Sequence, residues 1–261
     1  MAETQDKSII QVQDITVAYG DFVVMRDINC EIRAGEVFGI LGGSGSGKST
    51  LLKSMIGLNK PARGRVLIDG RDIVAAEGAE LLAILGRIGV MYQNGALFGS
   101  MNLLENVCLP LEEFTDLPRT ARETIASTKL KAVNLEGSEY KMPAELSGGM
   151  RKRAAIARAM ALDPKILFLD EPSAGLDPIT SSQLDELILR LSRTLQATFV
   201  VVTHELPSIF KILDRAVLLD ARTKTMAALG RPGELRDHSD NPWVRQFLRR
   251  GIEGSAESSP L

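Results

Sequence analysis

Residues 42–49 read Gly-Gly-Ser-Gly-Ser-Gly-Lys-Ser, a full match to the phosphate-loop pattern G-x-x-x-x-G-K-[ST]. No other segment restricts the fold as tightly, because this pattern has to sit between a buried strand and a helix. The flanks meet that demand. Val37-Phe38-Gly39-Ile40-Leu41 reads as a buried strand, and Lys48 to Gly57 carries helical spacing that stops at a glycine. Glycines let successive N–H groups turn inward around an anion, and the helix start adds the positive end of its dipole. A plain glycine-rich turn would not need a lysine and a hydroxyl in register. Gly42, Gly43, Ser44, Gly45, Ser46, Gly47, Lys48, Ser49 and Thr50 are therefore expected to cradle a nucleoside triphosphate. Lys48 would reach its β- and γ-phosphates and Ser49 would hold Mg²⁺.

Apolar strands elsewhere alternate with helical stretches. Ile9 to Val17 alternates in polarity, Phe22 to Ile32 reads as a second strand or pair, and Arg65 to Ile68 and Arg87 to Tyr92 are short strands. From about Gly95 to Leu162 the pattern is mostly helical, broken at Pro110, Pro118 and Pro143. Ile166 to Leu169 and Thr198 to Thr203 are apolar strands, with a helix over Thr180 to Leu195 between them. Arg215 to Asp220 and Lys224 to Leu229 read as a closing pair. The expected fold is α/β, a P-loop NTPase (RecA-like) core with a parallel sheet covered on both faces. An N-terminal antiparallel β subdomain and an inserted α-helical subdomain at about 95–162 complete it. The main domain would span 9–235 and a C-terminal tail 236–261, with disorder from Gly254 to Leu261.

Bulk properties narrow the role. The chain has 261 residues and a formal charge of −2, which gives no electrostatic footprint for nucleic acid. Its two cysteines, Cys30 and Cys108, lack metal-ligand spacing and read as buried free thiols of a reducing cytosol. The start, Met1 to Ser8, is polar, and no stretch approaches 18 apolar residues, so any membrane role is expected to be indirect.

Two acids follow the strand Ile166 to Leu169. A buried strand that delivers carboxylates at its C-terminal end is how such a core places acids beside a ligand. Asp170 would position Mg²⁺ through its water shell, and Glu171 would polarise the attacking water. Leu146-Ser147-Gly148-Gly149-Met150 precedes a helix-like run, Arg151 to Leu162. A serine hydroxyl and glycine N–H groups there, at Ser147, Gly148 and Gly149, form a second anion site.

Here the chain resembles the ABC ATPase family, whose signature is L-S-G-G-Q; Met150 replaces the glutamine. The resemblance runs from about Ile9 to Leu229. It implies that Tyr19, which read alone is a strand-end tyrosine, stacks on adenine. It implies that Gln93, read alone an exposed glutamine, contacts Mg²⁺ and senses the γ-phosphate. Ser173-Ala174-Gly175-Leu176-Asp177 matches the loop that crosses between partners, and His204 the switch histidine near the γ-phosphate. Catalysis would rest on Glu171 and His204, and Mg²⁺ on Ser49, Gln93 and Asp170. In the family the signature of one subunit caps ATP held by the other, so one copy of each motif implies a homodimer with two composite sites. Leu146 to Met160, Gln93 to Phe98 and the tail Asn241 to Leu248 are similar to the ATPases of the Mla phospholipid-transport system of Gram-negative envelopes. That implies a peripheral subunit on the cytoplasmic face of the inner membrane, with a multispanning permease and further lipid-transport subunits as partners.

Three rivals remain to be separated. An assembly ATPase of the iron–sulfur cluster type would not co-purify with a multispanning membrane protein. A chromosome-type ATPase needs hundreds of coiled-coil residues that this chain has no room for. A P-loop kinase would lack Leu146 to Met150. Asn94 to Leu111 is apolar enough to be the permease docking surface, with about half its side chains serving as subdomain core. In the tail, a helix over 242–252 would put Trp243, Phe247 and Leu248 on one face, either against its own domain or, as the resemblance implies, against a neighbouring subunit.

Overall fold

A computed structural model describes residues 8–256, with side chains through Arg249. The chain divides into two compact units, residues 8–76 with 202–256 and residues 77–201. In chain order the first unit opens with β1 (Ser8–Tyr19), β2 (Phe22–Arg33), β3 (Val37–Gly42), α1 (Lys48–Met55), β4 (Arg63–Ile68) and β5 (Arg71–Asp72). The second unit holds α2 (Gly78–Leu85), β6 (Ile88–Met91), α3 (Leu103–Phe114), α4 (Arg119–Ala132), a 3₁₀ turn at Pro143–Glu145, α5 (Gly148–Ala159), β7 (Ile166–Asp170), α6 (Pro178–Leu195) and β8 (Thr198–Val202). The chain then returns to the first unit with α7 (Leu206–Ile212), β9 (Arg215–Asp220), β10 (Thr225–Gly230), α8 (Pro232–His238) and α9 (Pro242–Ala256).

The first unit contains an antiparallel sheet in the order β2-β1-β4-β5, the expected N-terminal β subdomain. Its alternation is interrupted for a reason. Val12 and Ile15 are both buried although three residues apart, and so are Met25 and Ile28 on the facing strand. Bulges at Asp14 and Asp27, both with positive φ, insert the extra residue that keeps each pair on the core face. Asn29 closes the first bulge, exchanging two 2.9 Å bonds with the Asp14 amide and carboxylate. The same unit carries β10-β9-β3, where β3 runs parallel to β9 with Ile40 opposite Val217 and β10 runs antiparallel to β9. All six residues of β3 are buried, which is why that strand reads as an uninterrupted apolar run.

In the second unit β7 lies between β8 and β6, and β6 and β7 run parallel with Val90 opposite Phe168. Gly89 allows α5 to approach. A Cβ at that position would stand 2.0 Å from the Ala159 carbonyl oxygen. Buried Leu103, Val107 and Leu111 of α3, Ala126 and Leu130 of α4 and Ala154 of α5 are its helical core.

Three expectations need correction. Pro110 does not break the helical pattern: it lies inside α3, which continues to Phe114. A proline removes only one donor, and buried Val107 and Leu111 on either side hold the helix on the core. The signature helix begins at Gly148, not Arg151, so both glycines belong to its first turn. The tail helix runs to Ala256, past the expected end at 252 and into the segment expected to be disordered from Gly254; residues 257–261 lie outside the described ones. Its fully buried residues are Val244 and Leu248, packed within its own chain where α9 meets α7 and α8. Trp243 and Phe247, expected to be the packing face, are half-buried beside each other with ring centroids 5.6 Å apart.

Candidate functional site

In the first unit, fully buried β3 delivers its last residue, Gly42, directly into the loop, and α1 starts at Lys48. Gly42, Gly45 and Gly47 all have positive φ, so only glycine meets the backbone path. A Cβ at Gly47 would lie 2.4 Å from the Met25 methyl carbon, whereas Gly43 and Gly45 have nothing within 4 Å on that side. The loop is thus packed tightly at its base and open at its rim, the shape of an anion cradle. Lys48 is 9% exposed, and its Nζ donates to the Gly42 and Gly43 carbonyl oxygens, each at 3.0 Å. The ammonium is therefore held against the loop itself. Ser46 Oγ is buried and has no hydrogen-bond partner, an acceptor–donor left over that a phosphate oxygen fits.

Tyr19 ends β1 opposite Phe22 at the tip of the β1–β2 hairpin, and its ring is 56% exposed. An exposed aromatic at a hairpin tip is available for stacking and is not the core tyrosine that its strand-end position allowed. His204 follows β8 and is exposed.

In the second unit, four buried apolar residues of β7 carry Asp170 to the strand end, where it is 7% exposed. Glu171 turns the chain with φ +48°. Its Oε2 accepts from Gln93 Nε2 at 3.2 Å, so two of the expected site residues, 78 positions apart in sequence, meet directly. Behind them stands Lys152 of α5, which donates to the Gln93 carbonyl oxygen and, at 3.1 Å, to that of Glu171. One and a half turns further on, Arg158 donates to the Ala96 and Gly95 oxygens at 2.7 and 2.9 Å. These two cations were not picked out in the sequence. A signal existed for Lys152: it falls on the helical stripe of Gly149, Ile156 and Ala159, all buried, where a charge is out of place.

Ser147 N-caps α5, its Oγ accepting from the Met150 amide at 3.3 Å, and is itself exposed. Gly149 is packed so closely on α6 that a Cβ would stand 2.5 Å from the Thr180 methyl. Asp177 caps α6, accepting from the amides of Ile179 and Thr180 at 3.0 Å and from the Thr180 hydroxyl at 2.6 Å. Those bonds, led by the Thr180 hydroxyl, hold its carboxyl below the usual range. Among the described residues no group of three or more His, Cys, Asp or Glu side chains gathers as a metal cluster. Asp170, at the end of β7, offers the hard carboxylate oxygen that Mg²⁺ takes alongside phosphate oxygens and water.

The first unit thus supplies a phosphate loop, and the second an acid pair and a serine-capped glycine helix. The profile described as ABC transporter matches residues 25–174, more than half the chain. The chain belongs to this family. It is 44% identical over 239 residues to the probable ribonucleotide transport ATP-binding protein mkl of Mycobacterium leprae, covering 92% of this chain and 68% of that protein. It is 40% identical over 249 residues to the intermembrane phospholipid transport system ATP-binding protein MlaF of Haemophilus influenzae, covering 95% and 93%. Among solved structures, the ATP-binding cassette MJ0796, a dimer in a post-hydrolysis state with ADP and Pi, superposes with a TM-score of 0.77 at 32% identity, over 85% of this chain and 98% of that one. The cbiO1 subunit of Clostridium perfringens, part of the transporter complex cbiONQ, gives 0.81 at 29% identity over 96% and 99%. The ABC fold, ATP hydrolysis and the use of ATP with Mg²⁺ follow for this chain. Among the described residues no helix is long and apolar enough to cross a membrane.

Proposed function

We propose that this ABC ATPase drives phospholipid transport between the two membranes of a Gram-negative envelope. It would act as a homodimer at the cytoplasmic face of the inner membrane, bound there by a multispanning permease and further lipid-transport subunits. The observation that supports this cargo is the likeness to MlaF, which extends over nearly the whole of both chains. Within each copy Lys48 binds the β- and γ-phosphates, Tyr19 stacks on the base, and Ser49, Gln93 and Asp170 hold Mg²⁺. Glu171 polarises the attacking water and His204 steadies the γ-phosphate. Ser147, Gly148 and Gly149 close over the nucleotide of the other copy. The likeness to mkl favours a second reading, a ribonucleotide cargo. Purification of the chain with its membrane partners, followed by mass spectrometry of what they retain, separates the two. Phospholipid whose release depends on ATP supports the first, and retained ribonucleotide with no lipid overturns it.

A further inference from the structure

One buried cation has no role in that reading. Lys152 is 8% exposed on α5, and an ammonium so far from water persists only where acceptors replace its hydration. The acceptors are the main-chain oxygens of Gln93 and Glu171, the latter at 3.1 Å. Those two residues also meet through their side chains, at 3.2 Å. Lys152 is thus the third corner of a closed triangle with the magnesium-contacting amide and the water-polarising carboxylate. Glu171 sits at φ +48°, a backbone region that residues with a Cβ rarely adopt. A cation at its carbonyl oxygen favours that backbone and so fixes the direction of the carboxylate.

The same helix begins at the serine cap. Ser147 lies five residues before Lys152, and a helix rises about 1.5 Å per residue, so the two stand roughly 7–8 Å apart on one stiff rod. Gly149, between them, seats that rod against Thr180. We propose that Lys152 is a positioning residue that passes the seating of the first turn of α5 to Gln93 and Glu171. The inference rests on the reading above, in which Ser147 meets the partner's nucleotide and Glu171 acts on water. Engagement of Ser147 by the partner's ATP then shifts the ammonium and, with it, both carbonyls. Hydrolysis in one copy depends on the nucleotide of the other through a single helix. Lys152 lies on α5, and the two oxygens it donates to belong to the main chain of Gln93 and Glu171 and not to the phosphate loop, so its loss should spare nucleotide binding.

The full-length chain is compared as wild type, K152M, K152R and E171Q, for Mg-ATP affinity, turnover and thermal melting. K152M is expected to bind ATP within about threefold of wild type, with KM little changed and kcat lowered about tenfold or more. K152R, which keeps a cation in reach of both oxygens, is expected to recover at least about a third of wild-type kcat. Wild-type kcat in K152M, loss of ATP affinity in step with kcat, or a failure of K152R to recover turnover would each overturn the proposal. Should K152M not fold, K152Q carries the same test with a neutral polar group. E171Q keeps the two readings apart. If E171Q hydrolyses normally, the role given to Glu171 fails; if E171Q is inactive while K152M is normal, the positioning role alone fails.

Discussion

Lys48 is bonded to the loop in which we propose it binds phosphate. Its ammonium is held by the Gly42 and Gly43 carbonyls, so the charge waits in place before any phosphate arrives. Lys48→Ala removes a charge-assisted contact worth about 1.5–3 kcal/mol, roughly 10- to 150-fold in affinity. Titration with a fluorescent ATP analogue checks this, and unchanged affinity with unchanged turnover would remove the loop from the account. Glu171→Gln should behave differently. The amide keeps the shape and can still meet Gln93, but it cannot take a proton, so ATP binding persists while turnover drops about 10²-fold or more. Full activity in that variant would pass the role to another residue, with His204 the next candidate. At this scale the sequence was most readable where chemistry demands particular side chains in a fixed order, as from Gly42 to Ser49. It was harder to read at Lys152, signalled by its place on a buried stripe, and hardest at Asn106. The latter is wholly buried, and its amide nitrogen donates to the Phe98, Met101 and Asn102 carbonyls while its oxygen accepts from the Phe98 amide. Nothing in a polar residue within a helix announces that it will pin the loop before it.

At the scale of elements, the strands were legible because complete burial writes a continuous apolar run, as in β3 and β7. Helices α7 and α8 were missed because each has seven residues, too few to show a period, and each starts at or beside a proline. The start of α5 was read late because glycines weaken helices, whereas here the missing Cβ is what lets the first turn sit on Thr180. The same close packing makes a stability prediction. Gly89→Ala would drive a methyl into the Ala159 carbonyl, a backbone atom that cannot rotate away, and should cost about 3 kcal/mol in urea unfolding. Unchanged stability would mean that α5 stands further from β6 than described. The proposed docking surface is narrower than its sequence. Of its large apolar residues, Leu103, Leu104, Val107 and Leu111 are buried in the helical core, while Phe98 is 49% exposed and Leu97 and Met101 are partly so. Phe98→Glu and Met101→Glu should abolish membrane recruitment while leaving the melting temperature within about 2 °C of wild type, since neither removes core area. Recruitment as usual in both would rule this loop out.

For the whole molecule, the claim that organises the rest is that two copies share each ATP. Ser147 is exposed at the start of α5, aimed away from its own helical core, as a residue serving a partner must be. The MJ0796 cassette, to which this chain is similar, is dimeric in a post-hydrolysis state bound to ADP and Pi. Lys48→Ala should lose the binding loop and Ser147→Arg should lose the cap, so each variant alone should hydrolyse almost no ATP. The most direct test is to mix the two purified variants and measure ATP turnover. Random assembly puts about half the dimers in mixed form, each with one complete site out of two, so the mixture should regain about a quarter of wild-type activity. A mixture as inactive as its parents, with both variants folded and dimeric, would contradict the shared site.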